Sequence, residues 1–248
     1  MKYVDCYKKV NYKNKEIKKC INEYNSMLHD DYFKIQKKNL MYINERGEAA
    51  AVIDEHYFLM DLYFSKIINS KKPSVHFDIG SRVDGFVAHL LSAGIPVTLF
   101  DIRPFPIELE GLDYIQTDAT TLKEIDDNSL ESISSLHAIE HFGLGRYGDS
   151  IDPYAWIKAL KSIQMKVKPG GFFYLGIPVG NKPELYFNAH RVFTPQLIID
   201  SLDGMKLRTF AYISNYKVYD VDDINIIDEI TKNLGTYDCG LFCFEKVG

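Results

Sequence analysis

The run Val75-His76-Phe77-Asp78-Ile79-Gly80-Ser81 places the tightest limit on what this chain can fold into. An apolar stretch breaks at a glycine, a helical stretch follows, and 23 residues after Asp78 a second apolar run closes on Asp101. Strand, tight turn, helix and strand in that order make a βαβ unit of the nucleotide-binding kind. The glycine lets the backbone approach a ligand, and an acid about 20 residues on accepts hydrogen bonds from a ribose.

Strands and helices keep alternating beyond this unit. Val75–Ile79, Val97–Phe100, Tyr114–Thr117, Leu130–Leu136 and Phe172–Ile177 read as five successive strands. Phe86, Val87, Leu90 and Leu91 mark one helix face, with Gly94 as its left-handed cap. Trp156, Leu160, Ile163 and Val167 mark another, stopped by Pro169-Gly170-Gly171. Thr194-Pro195 pairs an N-cap with a proline at the first helical position. Strands near Leu207–Ser214 and Tyr237–Phe244, joined by a long loop, bring the expected total to seven. Five strand-then-helix steps predict an α/β fold, a Rossmann-like parallel sheet covered on both faces.

Residues 1–72 are expected to form an N-terminal helical extension, serving in part as a lid, and 73–248 the main domain. Ser70-Lys71-Lys72-Pro73 is the boundary. Helices are expected from Glu16 to Leu28 and from Ile53 to Ile68, with a break at Arg46-Gly47-Glu48. Of the net charge of −5, residues 1–46 hold about +5, so the remainder is strongly acidic and a poor platform for nucleic acid. There is no apolar run of membrane-span length and no signal-peptide core, so a cytoplasmic chain is expected. Cys6, Cys20, Cys239 and Cys243 lack zinc-finger or disulfide spacing and read as free thiols.

The acids after successive strands resemble those of the Rossmann-like methyltransferases that use S-adenosylmethionine. Asp127–Ile133 followed by Ile139-Glu140-His141 is similar to that family's fourth strand and post-strand motif. Val167–Phe173 resembles the element leading into its fifth strand, and His190-Arg191-Val192-Phe193-Thr194 a segment before its next helix. The resemblance spans roughly residues 73–245. It implies a seven-stranded methyltransferase sheet, S-adenosylmethionine as cofactor and S-adenosylhomocysteine as product. Asp78, Gly80 and Ser81 would then line the methionine end. Asp101, with Ile102, would accept from the ribose, and Asp118, with Ala119, would sit beside the adenine. His137 would reach the cofactor from the fourth strand. One departure stands out: of the usual D-x-G-x-G-x-G only the first glycine is in register, with Arg82 and Asp84 where the backbone should approach. That departure weighs more against NAD, which needs its pyrophosphate seated, than against S-adenosylmethionine. More narrowly, the segments around Asp78, Asp101 and Glu140–Gly148 resemble a bacterial methyltransferase-like family of unassigned function found among surface-polysaccharide genes. That implies a small acceptor, sugar-related or phosphoryl-bearing, methylated on oxygen.

A hydroxyl acceptor benefits from a general base, and His141 or His190 is the expected one, with Glu140 orienting an imidazole or touching the acceptor. His137 is the remaining candidate. Arg146, Tyr147 and Arg191 are the expected acceptor contacts, Arg146 and Tyr147 on a glycine-rich loop, Gly143–Asp152. His137 to His141 also spells H-x-x-E-H, but zinc hydrolysis wants both histidines one turn apart on a helix, whereas here a strand exit runs into glycines. No metal-ligand set is fixed, although Asp149 and Asp152 stand near, and the oligomeric state is undetermined. Two rival readings are a nicotinamide oxidoreductase on the same fold and a non-catalytic cofactor-binding scaffold.

Overall fold

The computed structural model describes residues 15–29, 35 and 53–248. Cys6, the Arg46-Gly47-Glu48 break and most of the basic segment lie outside the described residues. Chain contacts define two units, Met1–Val52 and Ile53–Gly248. The first holds helix α1 (Lys15–Met27).

The second unit opens with α2 (Glu55–Lys71), capped by the Asp54 side chain and closed by Lys72 in the left-handed region. Then follow β1 (His76–Ile79), a wide helical turn at Val83–Val87 leading into α3 (Ala88–Ser92), β2 (Val97–Asp101), β3 (Leu112–Gln116) and β4 (Leu130–Leu136). Next come α4 (Ala155–Lys166), β5 (Val167–Val179) and a small ribbon of β6 (Glu184–Tyr186) and β7 (His190–Val192). The chain finishes with α5 (Pro195–Asp200), β8 (Met205–Ser214), β9 (Lys217–Val221), α6 (Ile227–Asn233) and β10 (Asp238–Lys246).

The sheet runs β3-β2-β1-β4-β5-β10-β8-β9. The first five strands are parallel neighbours, while β10 is antiparallel to both β5 and β8. The order reverses beside β1, between β2 and β4, which is where open α/β sheets leave a crevice at their carboxyl edge. The sheet has eight strands, one beyond the expected seven. The extra one, β9, pairs with β8 through the two-residue turn Asn215-Tyr216, both at positive φ (50° and 58°). Such turns are usually announced by Asn-Gly. With tyrosine in the second place the signal was silent.

Each face of the sheet has its own core. On one, Leu160, Ile163, Ile198 and Ile227 pack on Ile133, Phe173, Leu175 and Phe242. On the other, Met60, Phe64 and Ile68 of α2 join Phe86 and Leu90 over Val97, Tyr174 and Leu241. These three α2 residues recur every four positions and are wholly buried, each contributing roughly 1.5–3 kcal/mol. Gly176 makes the approach possible, because a methyl there would fall 2.2 Å from Met60 Sδ. Thr194 caps α5 through the Leu197 amide, as its sequence signal predicts. Among the described residues no helix is long and apolar enough to cross a membrane.

Candidate active site

A cleft of about 360 Å3 opens at the carboxyl edge of β1, β2 and β3. Of the residues singled out from sequence, Gly80, Asp101, Ile102, Asp118, Ala119, His137, His141 and Tyr147 line it. Asp78, Ser81, Glu140, Arg146, His190 and Arg191 do not.

Gly80 sits at φ +67°, a conformation that favours glycine, and a side chain there would press on Ala138 at 3.1 Å. Asp78 is fully buried beneath it. Its carboxylate accepts from the Ser81 amide (3.1 Å), the Ser81 hydroxyl (2.8 Å) and the Ser134 hydroxyl. Burial raises its pKa to about 6, against the pull of those hydrogen bonds. Asp78 shapes the turn from behind. Ser134 also meets His76 Nε2 at 2.9 Å, and Ser132 meets His76 Nδ1 at 2.8 Å. Since Ser134 donates to Asp78, it accepts from His76, so Nε2 carries the imidazole proton.

Asp101 ends β2, and Arg103 grips it through Nε (2.9 Å), Nη2 (2.6 Å) and its own amide (2.8 Å). A parallel pair of donors on one carboxylate is also what the two hydroxyls of a vicinal diol present. Asp118, two residues past β3, takes the Thr120 amide and hydroxyl on Oδ1, both at 2.8 Å. Tyr147 crosses the cleft wall, with the Arg103 and Arg146 guanidinium groups 4.6 and 5.2 Å from its ring centre and His141 edge-on at 5.7 Å.

His141 Nδ1 lies 2.6 Å from the Ala189 carbonyl, which can only accept. In the neutral ring the proton therefore rides on Nδ1, which also lies 3.3 Å from Arg146 Nη1, and the open nitrogen is Nε2, 3.7 Å from Glu140 Oε1. Glu140 is buried and accepts from His137 Nδ1 at 2.8 Å. His137 itself is held at φ +52°, unusual for a residue other than glycine and a mark of local strain. Burial alone would lower its pKa, but Cys239 and Glu140 outweigh that and raise it well above the usual imidazole value. His190 packs at a tilt against Tyr186 and Tyr237, and burial lowers its pKa.

Arg191 is committed to the backbone, donating to the carbonyls of Glu140 (3.3 Å), Phe142 (2.6 Å) and Pro153 (3.5 Å). Arg146 donates to the Ala189 carbonyl (3.1 Å) but remains exposed. The loop is tied by Asp149, which accepts from the Gly143, Gly145 and Tyr147 amides. Asp152 pairs with Lys158 at 2.6 Å. The H-x-x-E-H histidines do not face one another from a helix, since His137 precedes the short turn Ile139–His141.

Two roles escaped the sequence. Arg103 was visible only as a neighbour of Asp101. Asp61 of α2 reaches under the first loop, where its carboxylate takes the Phe86 amide and burial raises its pKa to about 6. A methyl at Gly85 would fall 2.1 Å from Asp61 Oδ2, so that displaced glycine makes room for Asp61. Arg82 turns outward, bonded to Asp84 at 2.9 and 3.1 Å and lying over Tyr57.

A family model described as "Caenorhabditis protein of unknown function, DUF268" matches residues 113–237, half of the chain. The chain belongs to this family. Among curated proteins none matches. Solved structures similar to this member of the family include the Burkholderia thailandensis 1,6-didemethyltoxoflavin-N1-methyltransferase, with 1,6-didemethyltoxoflavin and S-adenosylhomocysteine bound (TM-score 0.55, 16% identity, covering 77% of this chain and 80% of that one). Another is the N-methyltransferase NodS from Bradyrhizobium japonicum WM9, in complex with S-adenosylhomocysteine (0.51, 15%, 76% and 85%). A third is the [4+2]-cyclase SpnF (0.54, 12%, 75% and 82%). At such identities the likeness establishes the class I methyltransferase fold, and that fold also carries a cyclase.

Proposed function

We propose that the chain is an S-adenosylmethionine-dependent methyltransferase acting on oxygen of a sugar-related or phosphoryl-bearing small molecule. The observation that carries this reading is the convergence of the Gly80 turn, Asp101 and Asp118 on one cleft. The donor set fits the cofactor: Asp101 suits a ribose diol in the place Arg103 now fills, and Asp118 suits an adenine amino group. The S-adenosylhomocysteine bound by two of the similar structures supports the same choice. A dinucleotide fits less well. The helix start that would seat its pyrophosphate is already taken by the Asp61 carboxylate, with Asp84 beside it.

When bound, S-adenosylmethionine supplies a sulfonium-activated methyl group. The protein's part is to align the acceptor and receive its proton. His141 Nε2 is the group for that task, because Ala189 fixes its tautomer. The exposed Arg146, packed on the cleft residue Tyr147, suits an anionic acceptor, and the rings of Tyr186, His190 and Tyr237, outside the cleft lining, make an aromatic surface suited to a sugar face. The oxygen specificity and the link to surface polysaccharide rest on sequence resemblance. The domain division at residue 72 and a cytoplasmic location belong to the same proposal.

Calorimetric titration with S-adenosylhomocysteine, S-adenosylmethionine, NAD and NADP tests the reading. Selective binding of the sulfur nucleotides is expected, weakened about 10- to 100-fold in Asp101→Ala. Binding of NAD alone, or equal affinity in the variant, would overturn it. With nucleotide sugars offered as acceptors, His141→Ala should slow S-adenosylhomocysteine formation about 100-fold while leaving nucleotide affinity intact.

A further inference from the structure

Three elements far apart in sequence bring soft metal donors together beside the cleft. His56 lies in the first turn of α2, His137 just beyond β4 and Cys239 in β10. One ring nitrogen of each histidine and the Cys239 sulfur all lie within 4.8 Å of one another. His137 Nδ1 is spent on Glu140 at 2.8 Å. That leaves Nε2 buried without a hydrogen-bond partner, a costly arrangement for an imidazole nitrogen. Metal-binding histidines commonly hand their second N–H to a carboxylate, which fixes the tautomer and turns the other nitrogen to the ion. The Glu140–His137 pair has that form.

The rest of the pocket agrees. The His56 ring stacks on that of His137, centroids 5.4 Å apart and planes within 4° of parallel, and Tyr237 stacks on it at 5.3 Å. Cys239 is wholly buried, and besides the two imidazoles its sulfur meets soft or weak partners, the Met60 sulfur at 4.0 Å and the Gly240 carbonyl at 3.9 Å. The positive φ of His137 aims an imidazole where ordinary backbone would not.

We propose that His56, His137 and Cys239 bind one zinc ion, with a fourth position left for water or an acceptor oxygen. Two imidazoles and a thiolate select a borderline-soft ion over magnesium or calcium, which want oxygen ligands. Binding needs neutral imidazoles and a thiolate, so it releases to solvent the Cys239 thiol proton together with the one that Glu140 and Cys239 favour on His137. The ion would join α2, β4 and β10 at the inner wall of the cleft, which His137 also lines. The inference is independent of the methyl-transfer reading, and so is its test.

The untagged full-length chain, stripped with chelator, is titrated with cobalt(II) and then with competing zinc. One cobalt per chain is expected, with a thiolate-to-metal charge-transfer band that zinc abolishes. Cys239→Ser should lose that band, whereas Cys243→Ser, in the same strand, should keep it. His56→Ala changes a half-buried residue, so it keeps the test decisive should Cys239→Ser fail to fold, and it should weaken zinc at least 100-fold. Zinc should also raise Tm of the wild type and not of His56→Ala. A spectrum without a sulfur band, or zinc affinity unchanged in His56→Ala, would overturn the proposal.

Discussion

Arg191 and Arg146 show how one residue type serves two ends around the same turn. Sequence assigned both to an acceptor. Arg191 instead spends its guanidinium on three carbonyls, holding the Glu140–Phe142 turn against Pro153. The Glu140 and Phe142 carbonyls are half-buried and would lose their donor, so Arg191→Ala should cost about 1–2 kcal/mol, read as a lower urea midpoint. Arg146→Ala, on an exposed side chain, should stay within about 0.5 kcal/mol. Equal effects would show that Arg191 is no brace. His141 depends on that brace, because the carbonyls of Glu140 and Phe142 flank it in the chain. The proton on its Nδ1 is set by Ala189, a loop residue 48 positions away, and no motif announces such a partner.

The β8–β9 hairpin turns on a tyrosine in a conformation that costs an ordinary residue about 1 kcal/mol or more. Tyr216 is 67% exposed, and its amide, which donates to Glu55, would survive replacement by glycine. Tyr216→Gly should therefore stabilise the chain by about 0.5–1 kcal/mol in denaturant titration. A loss of stability would mean the tyrosine ring packs for a purpose. The same turn explains what sequence could and could not reveal. Phe172–Ile177 of β5 is an unbroken apolar run and Val97–Phe100 of β2 nearly one, so both were legible, as were the Thr194-Pro195 start and the acids at strand ends. The turn chemistry at Asn215-Tyr216 follows no common pattern, so β9 stayed hidden. Asp61 stayed hidden for another reason: an acid within an apolar helix signals nothing until Gly85, 24 residues on, is seen to leave space for it. His56, His137 and Cys239 share no spacing at all, because the fold alone brings them together.

The sheet and the helix packed on it bury ionisable groups whose effects on stability oppose one another as pH changes. Asp61 and Asp78 have folded pKa values raised to about 6 by burial, above the ordinary 3.8. The folded state then binds more protons between pH 4 and 6, so both groups cost stability as pH rises through that window. His76 has its pKa lowered to about 3 by burial, so it costs stability as pH falls below about 6.5. Between pH 4 and 6 the His76 slope offsets only part of the slope from the two carboxylates. A single substitution separates them. Asp61→Asn removes one rising cost and leaves His76 and Asp78 in place. Relative to wild type, it should gain about 2 kcal/mol of unfolding free energy between pH 4.5 and pH 7.5. Urea titrations of both proteins at the two pH values give that difference directly, and the absolute penalty for losing the Phe86 contact cancels from it. A difference near zero would mean Asp61 is ionised at ordinary cost, and the weld between α2 and the first cleft loop would then be looser than the Gly85 contact requires.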